Sequence, residues 1–481
     1  MDTVGGMFKR ILVLLAAAAL GATVSLVAIR TALAWSLLPN RDLNRSSNYL
    51  RDVLKIVNEN YVDDKASTYD GLTRNAIHGM VESLDPHSQF LESKDNQELS
   101  EDLDGEFGGI GIEVEMRHDR IIVVAPMPGS PGDKAGILRG DQIVSIDGRP
   151  YERSDTMDKV IDGLRGKPHT KVRLGVYRPS TDRRMELALT REIVKVESVR
   201  DAHVIEGGTG YLQITQFSEH TAEQFDDAVD GLLKKGVDSL VIDLRNNPGG
   251  LLDSAVEVAE PFFKKGELIV YTQGRKASDR EEFRAETDGN PLTLPVAVLI
   301  NAGTASAAEI VTGALKDTRR AVVVGERSFG KGSVQSIFKL KDGEGLRLTT
   351  AHYFTPSGVP IHEKGISPQV EVVMTPEEDR ELSQQASRPD LTDPNDFKER
   401  FGFLPIIDRQ LQAALDVLKG VKLLGDRAGA PPVAMSAASD GTRAGSAEPL
   451  APRVQVARHV SARARHWPLS EDDSRVREFV R

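Results

Sequence analysis

Between residues 196 and 325 short apolar runs alternate with amphipathic stretches, and few folds accept that pattern. Leu240-Val241-Ile242-Asp243-Leu244 is the clearest run, almost continuously apolar, as a strand covered on both faces must be. Residues 209–214, 296–300 and 321–324 also predict strands, and 221–233, 251–263 and 306–315 predict the helices between them. Strands alternating with helices imply an α/β class, a layered core around a mainly parallel sheet. After Lys331 the pattern changes, and residues 333–339 and 346–354 alternate like antiparallel strands.

The 481 residues exceed one ordinary domain, and two or three are expected. Residues 43–98 predict helix: Tyr49, Leu50, Val53, Leu54 and Val57 share one face, as do Leu72, Ile77, Met80, Val81 and Leu84. Asp85-Pro86-His87-Ser88 starts a turn. Residues 396–418 are amphipathic and predict a helix, whereas Ala, Ser, Pro, Gly and Arg dominate from 426 and predict an unstructured tail. At the other end Lys9 and Arg10 precede an uncharged apolar run over residues 11–29, with a small-x-small site at Ala32-Leu33-Ala34. A cleaved signal peptide and an uncleaved anchor both fit, and either puts the body outside the cytoplasm, in the periplasm, soluble or held at the inner membrane. No cysteine is present, which excludes disulfides, thiolate zinc sites and cysteine nucleophiles, and a net charge of −11 argues against general nucleic-acid binding.

Residues 104–191 form a unit of their own. Gly108-Gly109-Ile110-Gly111-Ile112 enters a strand, Ser130-Pro131 caps a short helix, and a strand over 140–148 closes on an Asp147-Gly148 turn. A helix over 155–164 and strands over 172–176 and 185–189 complete it. This unit resembles a PDZ domain along nearly its whole length. The resemblance implies that backbone N–H groups around Gly109, Ile110, Gly111 and Ile112 hold a peptide's terminal carboxylate, that the peptide adds a strand, and that Ile110 and Ile112 line its side-chain pocket. Arg165, in the turn that follows the helix, is read as a solvated turn arginine, with carboxylate contact or domain docking as its alternatives.

Two small-residue loops hold the reactive side chains, Ser306 within 301–309 and Lys331 within 325–335. A serine is activated without histidine when a neutral lysine takes its proton, and burial supplies such a lysine. Ser306 falls at a predicted helix N-terminus, where free N–H groups favour negative charge. The N–H of Ala307 and one from the Gly249-Gly250 turn are candidate oxyanion donors, and Gln335, four residues past Lys331, is placed to orient the amine. Glu309, one turn into the helix, is expected to be a buried carboxylate satisfied by backbone donors.

These stretches, with Leu84-Asp85-Pro86-His87-Ser88 and Ile242-Asp243-Leu244-Arg245-Asn246-Asn247-Pro248-Gly249-Gly250, resemble the carboxyl-terminal processing peptidases, also called tail-specific proteases, over residues 45–375. The resemblance implies a serine endopeptidase with nucleophile Ser306, general base Lys331 and orienting Gln335. It also implies an oxyanion hole from Gly249, Gly250 and Ala307, no metal or cofactor, and a PDZ domain that selects substrates and gates the site. The expected organisation is a signal or anchor over 1–40, a helical region over 41–103, the PDZ unit over 104–191, a peptidase core over 192–380, a helical region over 381–425 and the tail over 426–481. Expected partners are unfolded or flexible proteins with free C-termini; an activating adaptor and a homo-oligomer stay open.

Rival readings are weaker. Gly325-x4-Gly330-Lys331 nearly spells a P-loop, but Gly332 stands where a magnesium-binding hydroxyl belongs. Ser328-x-x-Lys331 lacks the helix and the Lys-Thr-Gly companion of the penicillin-binding arrangement. His87 and His220 have no serine elbow beside them. A non-catalytic PDZ scaffold or chaperone is the remaining alternative.

Overall fold

The computed structural model describes residues 41–428 apart from 206, 288 and 387–390. The expected signal or anchor over 1–40 and the expected tail beyond 428 lie outside the described residues.

Helices α1 (Arg41–Asn60) and α2 (Tyr69–Glu82) lead in. The turn expected at 85–88 is present, but the helical region expected over 43–98 does not resume directly after it, because Gln89–Leu91 forms a strand, β1. Asp85 is the reason: its Oδ1 accepts the N–H groups of His87 (2.8 Å) and Ser88 (2.9 Å), a side-chain turn that replaces helical hydrogen bonds. Helix α3 (Ser93–Asp104) follows and stops at Gly105, whose φ of 71° is a left-handed cap.

The next unit opens with β2 (Glu106–Gly109), then β3 (Ile112–Arg117), β4 (Arg120–Pro126), α4 (Pro131–Lys134), β5 (Gln142–Ile146), β6 (Arg149–Pro150), α5 (Met157–Leu164), β7 (Lys171–Arg178) and β8 (Arg183–Thr190). Its sheet runs β3-β4-β5-β7-β8, which leaves β3 at an edge. β9 (Glu192–Lys195) returns antiparallel to β2, so the unit hangs on a two-stranded neck. Asp147 and Gly148, at φ 49° and 80°, form the expected tight turn. Buried Arg191 donates to the Gly163 (2.7 Å) and Leu164 (3.2 Å) carbonyls and so satisfies the C-terminus of α5.

The core follows: β10 (Val199–Ile205), β11 (Thr209–Ile214), α6 (Thr221–Lys234), β12 (Ser239–Asp243), α7 (Leu252–Ala259), β13 (Leu268–Gly274), β14 (Arg280–Arg284), β15 (Val296–Ile300), α8 (Ala307–Asp317), β16 (Ala321–Gly325), β17 (Ser333–Lys339), β18 (Gly345–Phe354) and β19 (Val370–Glu371). One sheet has the order β10-β11-β12-β15-β16-β19, parallel except at β10. In a second sheet β18 pairs with β1 and β13 along one side and β17 along the other, and β14 extends β13.

Helices α9 (Pro376–Ala386), α10 (Pro394–Phe401) and α11 (Arg409–Ala428) close the described chain. The single helix expected over 396–418 is broken because Gly402 adopts φ 87° and Pro405 follows. Alternation then sorts the central strands between layers. Leu240, Ile242, Val296, Val298 and Ile300 pack with α6, α7 and α8, whereas Val241, Ala297, Leu299 and Val324 face Ala414 and Leu418 of α11. The predicted two-faced burial of the central strands is therefore realised in three layers.

Leu418→Ala should cost about 2–5 kcal/mol by opening a cavity beneath α11, read as a lower denaturation midpoint of the core. Exposed Leu423→Ala on the same helix should stay within about 0.5 kcal/mol.

Candidate active site

Three neighbouring parallel strands, β12, β15 and β16, deliver their C-terminal loops to one place, where open α/β sheets form ligand sites. Side chains sew the loops together. Asn301 Oδ1 accepts from Asn246 N (2.9 Å) and Gly303 N (3.0 Å), and Asn301 Nδ2 donates to Asn246 Oδ1 (2.9 Å). Thr304 Oγ1 donates to Leu244 O (2.8 Å), and the Phe329 N–H donates to Thr304 O (2.9 Å).

Ser306 caps α8 and sits at φ 54°, ψ −117°, a conformation a serine adopts only under constraint. The constraint is visible at Gly249, φ 100°, where a Cβ would lie 2.7 Å from Ser306 Cβ and 2.9 Å from Ala307 N. Only glycine fits there. Its N–H, however, donates to Asn247 Oδ1 at 2.8 Å, which corrects the expectation that Gly249 is an oxyanion donor. Gly250 is bridged differently: Gly249 O and Leu251 N bond to Phe217, so the Gly250 N–H points away from that bridge and makes no hydrogen bond among the described residues. Ala307, first in its helix, has no intrahelical acceptor for its N–H.

Glu309 joins the two reactive loops. Fully buried, its Oε2 accepts from Ser306 N (2.9 Å) and Lys331 N (2.9 Å), while Oε1 accepts from Gly330 N (2.8 Å) and Ser328 Oγ (2.5 Å). Burial pushes its carboxyl pKa up despite those four donors. The expected buried carboxylate is present, and its donors come from both loops.

Lys331 is half-buried, and its Nζ makes no hydrogen bond among the described residues. Burial pushes its amine pKa down, the Arg347 charge adds to that, and Glu309 opposes it. The expected Gln335–Lys331 bond is not present: Gln335 Nε2 donates to Ser333 Oγ (2.8 Å) and reaches Thr349 Oγ1 (3.5 Å). Ser333 and Gln335 are i and i+2 on one strand, and so neighbours on one face, whereas Lys331 precedes the strand.

The 85–88 turn walls this region, a role the sequence did not disclose. Asp85 Oδ1 accepts from Thr349 Oγ1 (3.1 Å), Asp85 Oδ2 from Ser88 Oγ (2.6 Å), and Ser88 Oγ from Thr349 N (3.1 Å). Thr349 is paired with Gln335. His87 stands near Lys331; burial first, then the lysine's charge, pushes its imidazole pKa down. The available signal was the Asp-Pro-x-Ser turn, which shows its own local bonds but not its distant partner. His220 instead contacts Glu106 Oε1 (2.9 Å) at the neck.

In the 104–191 unit, Gly111 is left-handed (φ 65°), and its carbonyl accepts from Met127 N (2.9 Å) and Ser130 Oγ (2.8 Å). The N–H groups of Ile110 and Gly111 make no hydrogen bond among the described residues. Gly109 ends β2. Ile112 is half-buried, but Ile110 is only 1% exposed and belongs to the unit's core, so it does not line an open pocket. Arg165 is not a free turn arginine: with 35% of its side chain still exposed, it lies 4.7 Å over the Phe107 ring and 3.6 Å from Glu101, and docks the unit against α3.

Residues 208–372 match the model of peptidase family S41, and residues 108–189 that of the PDZ domain. The chain is 42% identical over 360 residues to a carboxy-terminal-processing protease of Bartonella bacilliformis, covering 73% of this chain and 81% of the relative. It is 37% identical over 359 residues to a probable CtpA-like serine protease of Staphylococcus aureus, covering 73% and 71%. A solved photosystem II D1 C-terminal processing protease is 30% identical, with coverage of 67% and 92% and a TM-score of 0.39.

Glu309→Gln should destabilise the protein by about 1–3 kcal/mol, because an amide NH2 would face N–H donors. Thermal denaturation of the variant beside the wild type measures it.

Proposed function

The chain belongs to the carboxy-terminal-processing proteases of peptidase family S41 and is a serine-type peptidase; from that premise we propose that Ser306 and Lys331 are its nucleophile and general base. The observation that carries this reading is the shared acceptor: one oxygen of Glu309 takes the backbone N–H of both residues. A lysine whose pKa is lowered by burial is neutral often enough to accept the serine proton. Ser306 Oγ then attacks the substrate carbonyl, and the oxyanion is received by the free N–H groups of Ala307 and Gly250. Lys331 passes the proton to the departing amine, and water, deprotonated in turn, hydrolyses the acyl-enzyme. Gln335 is the orienting partner of Lys331 in this reading, a role that requires its amide to turn from Ser333 and Thr349 toward the amine.

Substrates in this reading are unfolded or flexible proteins with free C-termini. The unsatisfied N–H groups of Ile110 and Gly111 and the edge position of β3 support capture of a terminal carboxylate with strand addition. The protein works in the periplasm, released by signal cleavage or anchored by residues 11–29. Self-association through α1 is part of the proposal, because Leu43, Tyr49, Leu50 and Ile56 are exposed on it. An activating adaptor would act on the docked PDZ unit.

Ser306→Ala and Lys331→Ala should each abolish cleavage of an unfolded protein while peptide binding persists, with products identified by mass. Full activity in either variant would overturn the dyad. Amidating the substrate's C-terminus should weaken processing, and equal rates for acid and amide would remove carboxylate recognition. Because the neutral lysine is the active form, kcat/KM should rise with pH through a limb below the ordinary lysine value of 10.5. Burial holds that pKa down first and the Arg347 charge adds to it, so Arg347→Met should move the limb to higher pH.

A further inference from the structure

Strand β17 has one bonded edge and one open edge. β18 pairs with it from Ser333 opposite His352 to Lys339 opposite Gly345, and among the described residues no strand lies on its other side. Such an edge offers unpaired N–H and C=O groups to any extended chain, and folded proteins usually blunt it with charge, proline or cover. The same sheet shows what blunting looks like. Of its two other end strands, β1 is three residues long with Phe90 and Leu91 buried, and β14 reads Arg-Glu-Glu-Phe-Arg, charged at four of five positions.

β17 reads Ser-Val-Gln-Ser-Ile-Phe-Lys, with no proline and one terminal charge. Ile337 and Phe338 are 40% and 46% exposed, and Phe329 and Leu340, flanking the strand, are 63% and 42% exposed. The edge begins two residues after Lys331, so it is continuous with the catalytic loop. The bulge between Val334 and Gln335 falls at that catalytic end and leaves the outer residues in regular register.

We propose that the open edge of β17 is the strand-addition site for the part of the substrate beside the scissile bond. An extended, apolar stretch of unfolded polypeptide pairs with residues 333–339, and its side chains rest on Ile337 and Phe338. This rests on the reading of Ser306 and Lys331 as the catalytic pair. The site is separate from the one that takes the terminal carboxylate, and it selects apolar, unfolded sequence where the PDZ unit selects a chain end.

The test uses full-length protein and a twelve-residue apolar peptide with a free C-terminus, prepared as a series with one backbone nitrogen methylated at successive positions around the cleaved bond. Strand pairing predicts loss of kcat/KM by about fivefold at alternate positions, one hydrogen bond each, with little loss between them. Phe338→Asp should raise KM about fivefold or more through lost apolar contact, and Glu281→Ala on the blunted β14 edge should leave KM unchanged. A flat methylation profile, with Ser306 still labelled by a sulfonyl fluoride, overturns strand addition alone. So does a concentration-dependent dimer that Phe338→Asp dissolves while that profile stays flat, since the edge then serves a second copy. Cleavage that survives Ser306→Ala overturns the catalytic reading and this inference with it.

Discussion

A carboxylate with no access to water must be met by donors, or its burial would cost more than a fold can bear. Glu309 is that case, and the way its need is met organises the site. Two of its four donors are backbone N–H groups of Ser306 and Lys331, and a third is that of Gly330. Neither loop can move without leaving the carboxylate short, so the reactive residues are held together through their backbones. Their side chains stay free of that work. Ser328 extends the clamp, since its Oγ gives to Glu309 and takes the N–H of Ile366 (2.6 Å).

The strained φ of Ser306 and the open φ of Gly249 are two halves of one constraint. The serine is turned out of helical geometry, and glycine yields the space that this requires. The lysine depends on burial, and part of that burial comes from far along the chain. The 85–88 turn is bound to β18 by Asp85, Ser88 and Thr349, and Arg347 donates to His87 O (3.2 Å). A segment from the N-terminal region thereby helps set the electrostatics around Lys331 of the core.

Arg245 plays a comparable part at the back of the sheet. It bonds Asp243 at the end of β12 and Asp408 just before α11, while Tyr211 Oη donates to Asp243 (2.8 Å). Both carboxylates hold the guanidinium pKa well above its usual value even though burial pulls it down. The pair fixes α11 over Val241, Ala297 and Leu299 and completes the third layer. On the other side Arg165 and the Lys94–Asp162 pair (2.9 Å) hold the PDZ unit to α3.

Residue pattern alone required the layered α/β core, because apolar runs as short as residues 240–244 and 296–300 are stable only between two covering layers. It also determined the small-residue loops, the capped helix at Ser306 and the buried state of Glu309, since those follow from neighbours within a few positions. What lay beyond it were pairings across long separations. β1 became a strand because β18 offered an edge, Arg165 docked because Phe107 and Glu101 were brought beside it, and Ile110 was drawn into a core rather than a pocket. Gln335 turned to Ser333 and Thr349, and the Gly249 N–H went to Asn247. Hydrogen bonds are settled by whichever acceptor stands within about 3 Å in the folded chain, and spacing along the chain does not supply that distance. Local physics chose the parts, and long-range packing settled which of them met.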